Sequence, residues 1–187
     1  MTASSDPSRP TVDTREFART SSRIGGGCAV ARLARLADLL ADGGGEVQWE
    51  LAGESARRAD GGSDAHLALS FGATLRLACV RCLEPVAVRV EEHRHYRMVV
   101  SESIAEREDL ESEDFDLLCH DPRLDVLGLL EDEVIMALPI APRHADCERP
   151  AGAVAATAAA DAGADEPRVH PFAALASLRR GSGEPGS

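Results

Sequence analysis

Four residues in this chain have the types and spacing to hold a soft metal ion. Cys79 and Cys82 form a C-x-x-C pair, and far downstream His144 and Cys147 form an H-x-x-C pair. Thiolate and imidazole are ligands zinc prefers, and a C-x-x-C bend turns two sulfurs toward one ion. A site drawn from both segments would tie two distant elements together. The alternative is thiols that pack or sit near the surface: the chain lacks the glycine that often follows a zinc-knuckle C-x-x-C, and a single H-x-x-C is a sparse second half. A thioredoxin-type redox role needs C-x-x-C opening a helix within a βαβ pattern, whereas strand patterns flank this one on both sides. The five cysteines, Cys28, Cys79, Cys82, Cys119 and Cys147, are an odd number and do not resemble a disulfide framework.

Other chemistry has less to stand on. His93 and His95 lie two apart on a strand pattern and share a face, which suits a metal or, more simply, solvent. There is no glycine-rich phosphate loop, nucleophile elbow or helical H-E-x-x-H, so the chain is read as a non-enzyme.

The elements that would position the cysteines follow from periodicity. Val47, Trp49 and Leu51 alternate with polar partners, His66–Leu77 alternates again about an expected bulge at Gly72, and after the C-x-x-C bend Val86, Val88 and Val90 alternate once more. These segments predict an antiparallel meander. Ahead of them, residues 29–40 predict a helix with Leu33, Leu36, Leu39 and Leu40 on one side. A short strand is expected at Phe115–Cys119. A second helix then opens near Asp125, a suitable N-cap, with Leu127, Leu130, Val134 and Leu138 as its apolar stripe, Glu131, Asp132 and Glu133 mostly outside it, and Pro139 as its stop.

The resulting fold class is α+β: an antiparallel sheet flanked by two or three helices, with a disordered N-terminus and an Ala-rich linker before a short C-terminal helix. In domain terms, residues 1–27 are expected to be mostly disordered, 28–150 to form one α+β domain, 151–167 a flexible linker, 168–180 an amphipathic tail helix bearing Phe172, Leu175 and Leu178, and 181–187 a disordered end. The acidic stretch from Ser101 to Asp114 is expected to be a mobile loop.

Composition narrows the partners. The net charge is −12, and between residues 101 and 140 thirteen acidic residues face two arginines. Such a chain is poorly suited to strong autonomous binding of phosphate backbones and better suited to a basic protein, with the stretch from Glu102 to Asp116 and the Glu131-Asp132-Glu133 face as candidate docking surface. Phe, Tyr and Trp together number six, so platforms for stacking bases are scarce. No run approaches the length of a membrane span, and the polar start carries no signal-peptide core, so the expected location is the cytosol and no membrane contact is expected.

Three ordered motifs together resemble the bacterial YceD family, the large ribosomal RNA subunit accumulation proteins: the C-x-R-C-L-E-P-V hairpin at Cys79–Val86, the E-D-E-V-I-M-A-L-P helix at Glu131–Pro139, and the closing H-P-F-A-A-L-A-S-L-R-R at His170–Arg180. The resemblance points to Arg81, Glu84, Pro85, Glu131, Glu133, Leu138, Pro139, Pro171, Phe172, Leu175 and Leu178 as motif positions beside the metal-ligand candidates. It implies a cytoplasmic, non-catalytic factor needed for synthesis, processing or stability of large-subunit (23S) ribosomal RNA. Its partner would be a ribosomal protein or assembly factor of the large subunit, with any RNA contact indirect. The alternative is a zinc-stabilised RNA-binding module in which Arg76, Arg81, Arg89, Arg94 and Arg97 meet phosphates; zinc is the one candidate cofactor in either reading.

Overall fold

The alternating segments become three long strands, β3 (Glu46–Arg57), β4 (Ser63–Ala78) and β5 (Pro85–Val99), joined as an antiparallel meander. The computed structural model describes residues 9–57, 61–108 and 115–147. β2 (Arg23–Ala29) flanks β3 and β6 (Asp116–Cys119) flanks β5, completing a five-stranded sheet in the order β2-β3-β4-β5-β6. β6 runs parallel to β5, which makes the sheet mixed rather than wholly antiparallel. β1 (Thr11–Val12) and β7 (Leu124–Asp125) pair separately as a two-stranded ribbon.

Period-two patterning decides which face is covered. Leu67, Leu69, Phe71, Leu75 and Leu77 of β4 and Val86, Val90, Tyr96 and Met98 of β5 point inward and are buried. Each such side chain contributes roughly 1.5–3 kcal/mol of transfer free energy. Against them lies α4 (Val126–Ala137), which buries Leu127, Leu130 and Val134. The Asp125 carboxylate caps this helix by accepting from the Leu127 and Gly128 amides, both at 3.1 Å. Leu138 turns to extended backbone just before Pro139. Leu33 and Leu36 are also buried, at and within α2 (Ala34–Leu39).

α1 (Thr14–Arg19) buries Phe17 and crosses β3 at Gly53. A Cβ there would stand 2.5 Å from the Phe17 carbonyl oxygen, so only glycine admits the crossing.

Several expectations shift. The boundary expected at residue 28 falls inside β2, and α1 and β1 lie ahead of it. The signal was present: Asp13 caps α1 by accepting from the Arg15 and Glu16 amides at 3.0 and 3.1 Å, and Thr14, Phe17 and Ala18 are buried. The β4–β5 ladder passes through Gly72 in unbroken register, and the β3–β4 ladder ends there opposite Gln48, so there is no bulge against β5. The helix expected over residues 29–40 is a 3-10 turn at Val30–Arg32 followed by α2, which leaves Leu39 exposed. The stretch expected to be a loop opens with α3 (Glu102–Glu108). The expected linker at 151–167, the tail helix at 168–180 with Pro171, Phe172, Leu175 and Leu178, and the end at 181–187 lie outside the described residues.

Candidate metal centre

The C-x-x-C pair sits at the tip of the β4–β5 hairpin. The ladder's last pair is Ala78 with Pro85. Beyond it the Cys79 amide donates to the Glu84 carbonyl and the Leu83 amide donates back to the Cys79 carbonyl, each at 2.9 Å. Leu83 completes the turn at φ 66°, left-handed backbone at the position where a zinc knuckle commonly carries glycine. The missing glycine counted against a knuckle in the sequence, yet the chain makes the turn with a leucine that is 77% exposed. Holding a non-glycine residue there costs about 1–2 kcal/mol.

After α4 stops at Pro139, the chain is clamped to this tip by the Val80 amide, which donates to the Pro142 carbonyl at 2.9 Å. That clamp delivers the second ligand pair. Cys79 Sγ lies 3.7 Å from Cys147 Sγ, and Cys82 Sγ lies 3.6 Å from His144 Nδ1. All four ligand atoms fall within 4.8 Å of one another. With Zn–S near 2.3 Å and Zn–N near 2.05 Å, the edges of a tetrahedron are about 3.7–3.8 Å between sulfurs and about 3.6 Å between sulfur and nitrogen. These two separations match such edges and the remaining ones lie within 4.8 Å, so the four side chains can converge on one ion.

The outer contacts prepare the ligands. His144 Nε2 lies 3.1 Å from the Pro85 carbonyl, which can only accept, so Nε2 carries the proton and Nδ1 presents its lone pair to the cluster. The Cys79 thiol is brought down to about 5, chiefly by the Cys82 amide N–H and then by those of Arg81 and His144, against the opposing effect of burial. Burial and the neighbouring sulfurs of Cys82 and Cys79 push Cys147 up to about 11. A cation at the centre would relieve that repulsion and hold all three sulfurs as thiolates. With four protein ligands the set is closed, the arrangement of a structural rather than a catalytic ion.

The motif residues around the centre have mechanical roles. Glu84 and Pro85 lend their carbonyls to the turn and to His144, Leu138 packs at the core's margin, and Arg81 stands exposed at the tip. Glu131 was expected outside the apolar stripe, but it is 4% exposed. Its Oε1 accepts from the Arg35 and Leu36 amides at 2.8 and 3.2 Å, and its Oε2 from the Arg35 guanidinium at 3.0 and 3.2 Å. Glu133 pairs with Arg94 at 3.1 Å and Asp132 with Arg35 at 2.6 Å. The Glu131-Asp132-Glu133 face is therefore a latch between α4, α2 and β5, not an open acidic docking surface.

The arginines considered for phosphate contact are largely engaged as well. Arg76 pairs with Asp42 at 3.4 Å, Arg89 with Glu91 at 2.6 Å and Arg94 with Glu133. His93 shares the outer sheet face with His95, and its Nδ1 lies 2.9 Å from the Ser70 hydroxyl. Among the described residues, no helix is long and apolar enough to cross a membrane.

Residues 67–179 match the family model described as "Large ribosomal RNA subunit accumulation protein YceD". This span contains β4 from Leu67 onward, all of β5 and α4, and all four candidate ligands. No solved structure matches the chain.

Proposed function

This chain belongs to the YceD family of large ribosomal RNA subunit accumulation proteins, and from that membership we propose that it is a non-catalytic cytoplasmic factor in the synthesis, processing or stability of large-subunit (23S) ribosomal RNA. Zinc, held by Cys79, Cys82, His144 and Cys147, is its structural ion. When bound, zinc supplies cross-linking and charge neutralisation rather than a reactive centre. The observation that carries this reading is the convergence of two ligand pairs, from the hairpin tip and from the segment beyond α4, at tetrahedral edge lengths. A closed ligand set leaves no coordination position for a substrate, which supports a scaffold role.

The partner in this reading is a basic ribosomal protein or assembly factor, met through the acidic stretch from Glu102 to Asp116. The rival reading, in which Arg76, Arg81, Arg89, Arg94 and Arg97 meet an RNA backbone, loses support at Arg94, which is held by the largely buried Glu133.

Deleting the gene should lower 23S relative to 16S ribosomal RNA, and the wild-type chain should restore it. Unaltered 23S in the deletion strain would refute the function. Metal analysis of purified protein should find about one zinc per chain; substoichiometric metal under metal-replete expression would remove the ion from the proposal. Pull-down at graded salt should recover a basic large-subunit protein, and recovery of ribosomal RNA alone would overturn the choice of partner.

A further inference from the structure

The end of the β4–β5 hairpin remote from the knuckle carries a different surface. A cleft of about 480 Å³ opens there between α1, the ends of β3 and β4, and the end of β5. Arg15 and Arg19, four apart on α1, line it with Arg97 and His120, and Ser55 and Ser63 add hydroxyls. Asp64 is the one carboxylate among its lining residues. In a chain with a net charge of −12, three arginines on one hollow stand out as a local reversal of sign. Arg19 bridges to Glu16 at 2.6 Å, but both side chains are more than half exposed, and such a pair contributes little.

The ring of His120 is fixed from behind. The Asp121 amide donates to the hydroxyl oxygen of the fully buried Thr14 at 3.2 Å, and that hydroxyl lies 3.1 Å from His120 Nδ1, which holds the ring in place. The site therefore combines three guanidinium groups, an imidazole and two hydroxyls, the chemistry that recognises a phosphate group.

Arg97 and Asp64 also border a second hollow of about 390 Å³ on the outer face of the sheet. Its floor is Ala68, and its rings are His66, His95 and Phe115. The His66 and Phe115 centroids are 5.1 Å apart with planes inclined at 59°. Histidine here supplies ring surface that the scarce aromatic residues do not. Both hollows fall in the size range of small-ligand sites.

We propose that these two hollows, joined at Arg97, bind a single nucleotide unit, with its phosphate among Arg15, Arg19, Arg97 and His120 and its base against His95 and Phe115. Three arginines beside the acidic α3 suit one nucleotide and not a long polyanion. The same chemistry is offered by a nucleotide within a single-stranded RNA and by a free mononucleotide. The family reading bears only on the expectation that RNA is the source.

Full-length protein is titrated against a fluorescently labelled short single-stranded oligoribonucleotide by anisotropy, and separately against a labelled nucleoside monophosphate. Binding of the oligoribonucleotide should depend on salt with a slope of log K of about −0.7, the value expected for one seated phosphate. The Arg15→Gln/Arg19→Gln pair, both exposed, should weaken binding at least tenfold and flatten that slope toward zero, while Arg89→Gln leaves it unchanged. Displacement of the oligoribonucleotide by millimolar monophosphate assigns the free nucleotide as a competent source; resistance to displacement assigns the RNA strand. Failure of both probes to bind, or equal binding by the double variant with an unchanged circular-dichroism spectrum, overturns the site. Wild-type protein that restores 23S RNA in the deletion strain yet binds neither probe removes this site and leaves the proposed function standing.

Discussion

Replacing Glu131 with alanine tests the latch between α4 and α2. The carboxylate is almost wholly buried and accepts four hydrogen bonds, two from amides that open α2 and two from the Arg35 guanidinium. Removing one member of a buried ion pair costs about 3–5 kcal/mol. Here the low end applies, because Arg35 is 57% exposed and its guanidinium can return to water. Stranding the α2 amides adds about 1 kcal/mol, the usual cost of losing a cap. The expected loss is about 3–4 kcal/mol of a stability that for ordinary domains totals about 5–15 kcal/mol. In thermal terms that is a fall in Tm of about 6–16 °C. Glu131→Gln keeps an oxygen for the α2 amides but turns an NH₂ toward the guanidinium, so it should cost about 2 kcal/mol. Asp132→Ala, which removes a pair 57% and 58% exposed, should cost under about 1 kcal/mol. Urea denaturation of the four proteins at equal zinc loading measures this order. If Glu131→Ala loses no more than Asp132→Ala, the carboxylate is not the latch the geometry describes.

Cys147→Ser should abolish stoichiometric zinc and leave a chain whose Tm no longer responds to a chelator, whereas Cys119→Ser, outside the cluster, should keep both metal and response. At the knuckle, Leu83→Gly should shift stability by no more than about 1 kcal/mol, since relief of about 1–2 kcal/mol of backbone strain is offset by about 0.5–1 kcal/mol of unfolded-state entropy. Leu83→Val should be worse than wild type by about 1 kcal/mol, because a β-branched residue fits left-handed backbone poorly, and denaturant midpoints would register either departure. Burial, with Arg15 second, lowers the His120 pKa below its ordinary 6.5. The folded state then binds fewer protons than the unfolded one, so this group's stabilisation is complete above pH 6.5 and is lost as pH falls through the lowered folded value. A pH series of Tm should show that decline, and His120→Gln should flatten it.

Much of the centre was legible because its ligand types have few other uses at that spacing. Two cysteines at a hairpin bend and an H-x-x-C after a proline-stopped helix named all four side chains before their geometry was known. α4 was equally readable, since Asp125 and Pro139 bracket it and Leu127, Leu130 and Val134 keep helical period. Glu131 was not, because a helical wheel sees only one helix: its burial depends on the start of α2 arriving over it. The parallel strand β6 hid for a similar reason, since four residues carry too little pattern to declare which neighbour they join or in which direction. The cleft at Arg97 was invisible because Arg15, Arg19, Arg97 and His120 are scattered along the chain and meet only when α1 crosses β3 at Gly53.

The unbroken pairing from Ala78–Pro85 to His66–Arg97 makes the hairpin tip an alignment pin for the whole ribbon. Over about a dozen residues at 3.3–3.4 Å each, the ribbon runs roughly 40 Å from pin to far end. Because side chains alternate sides, a slip of one place at the tip would reverse every one of them, sending Leu69 and Leu75 into water and swinging Arg97 away from its neighbours on α1. An ion held by the four ligands would permit a single spacing of the bend and so forbid that slip. Bound at one extremity, it would fix what is displayed at the other without touching it.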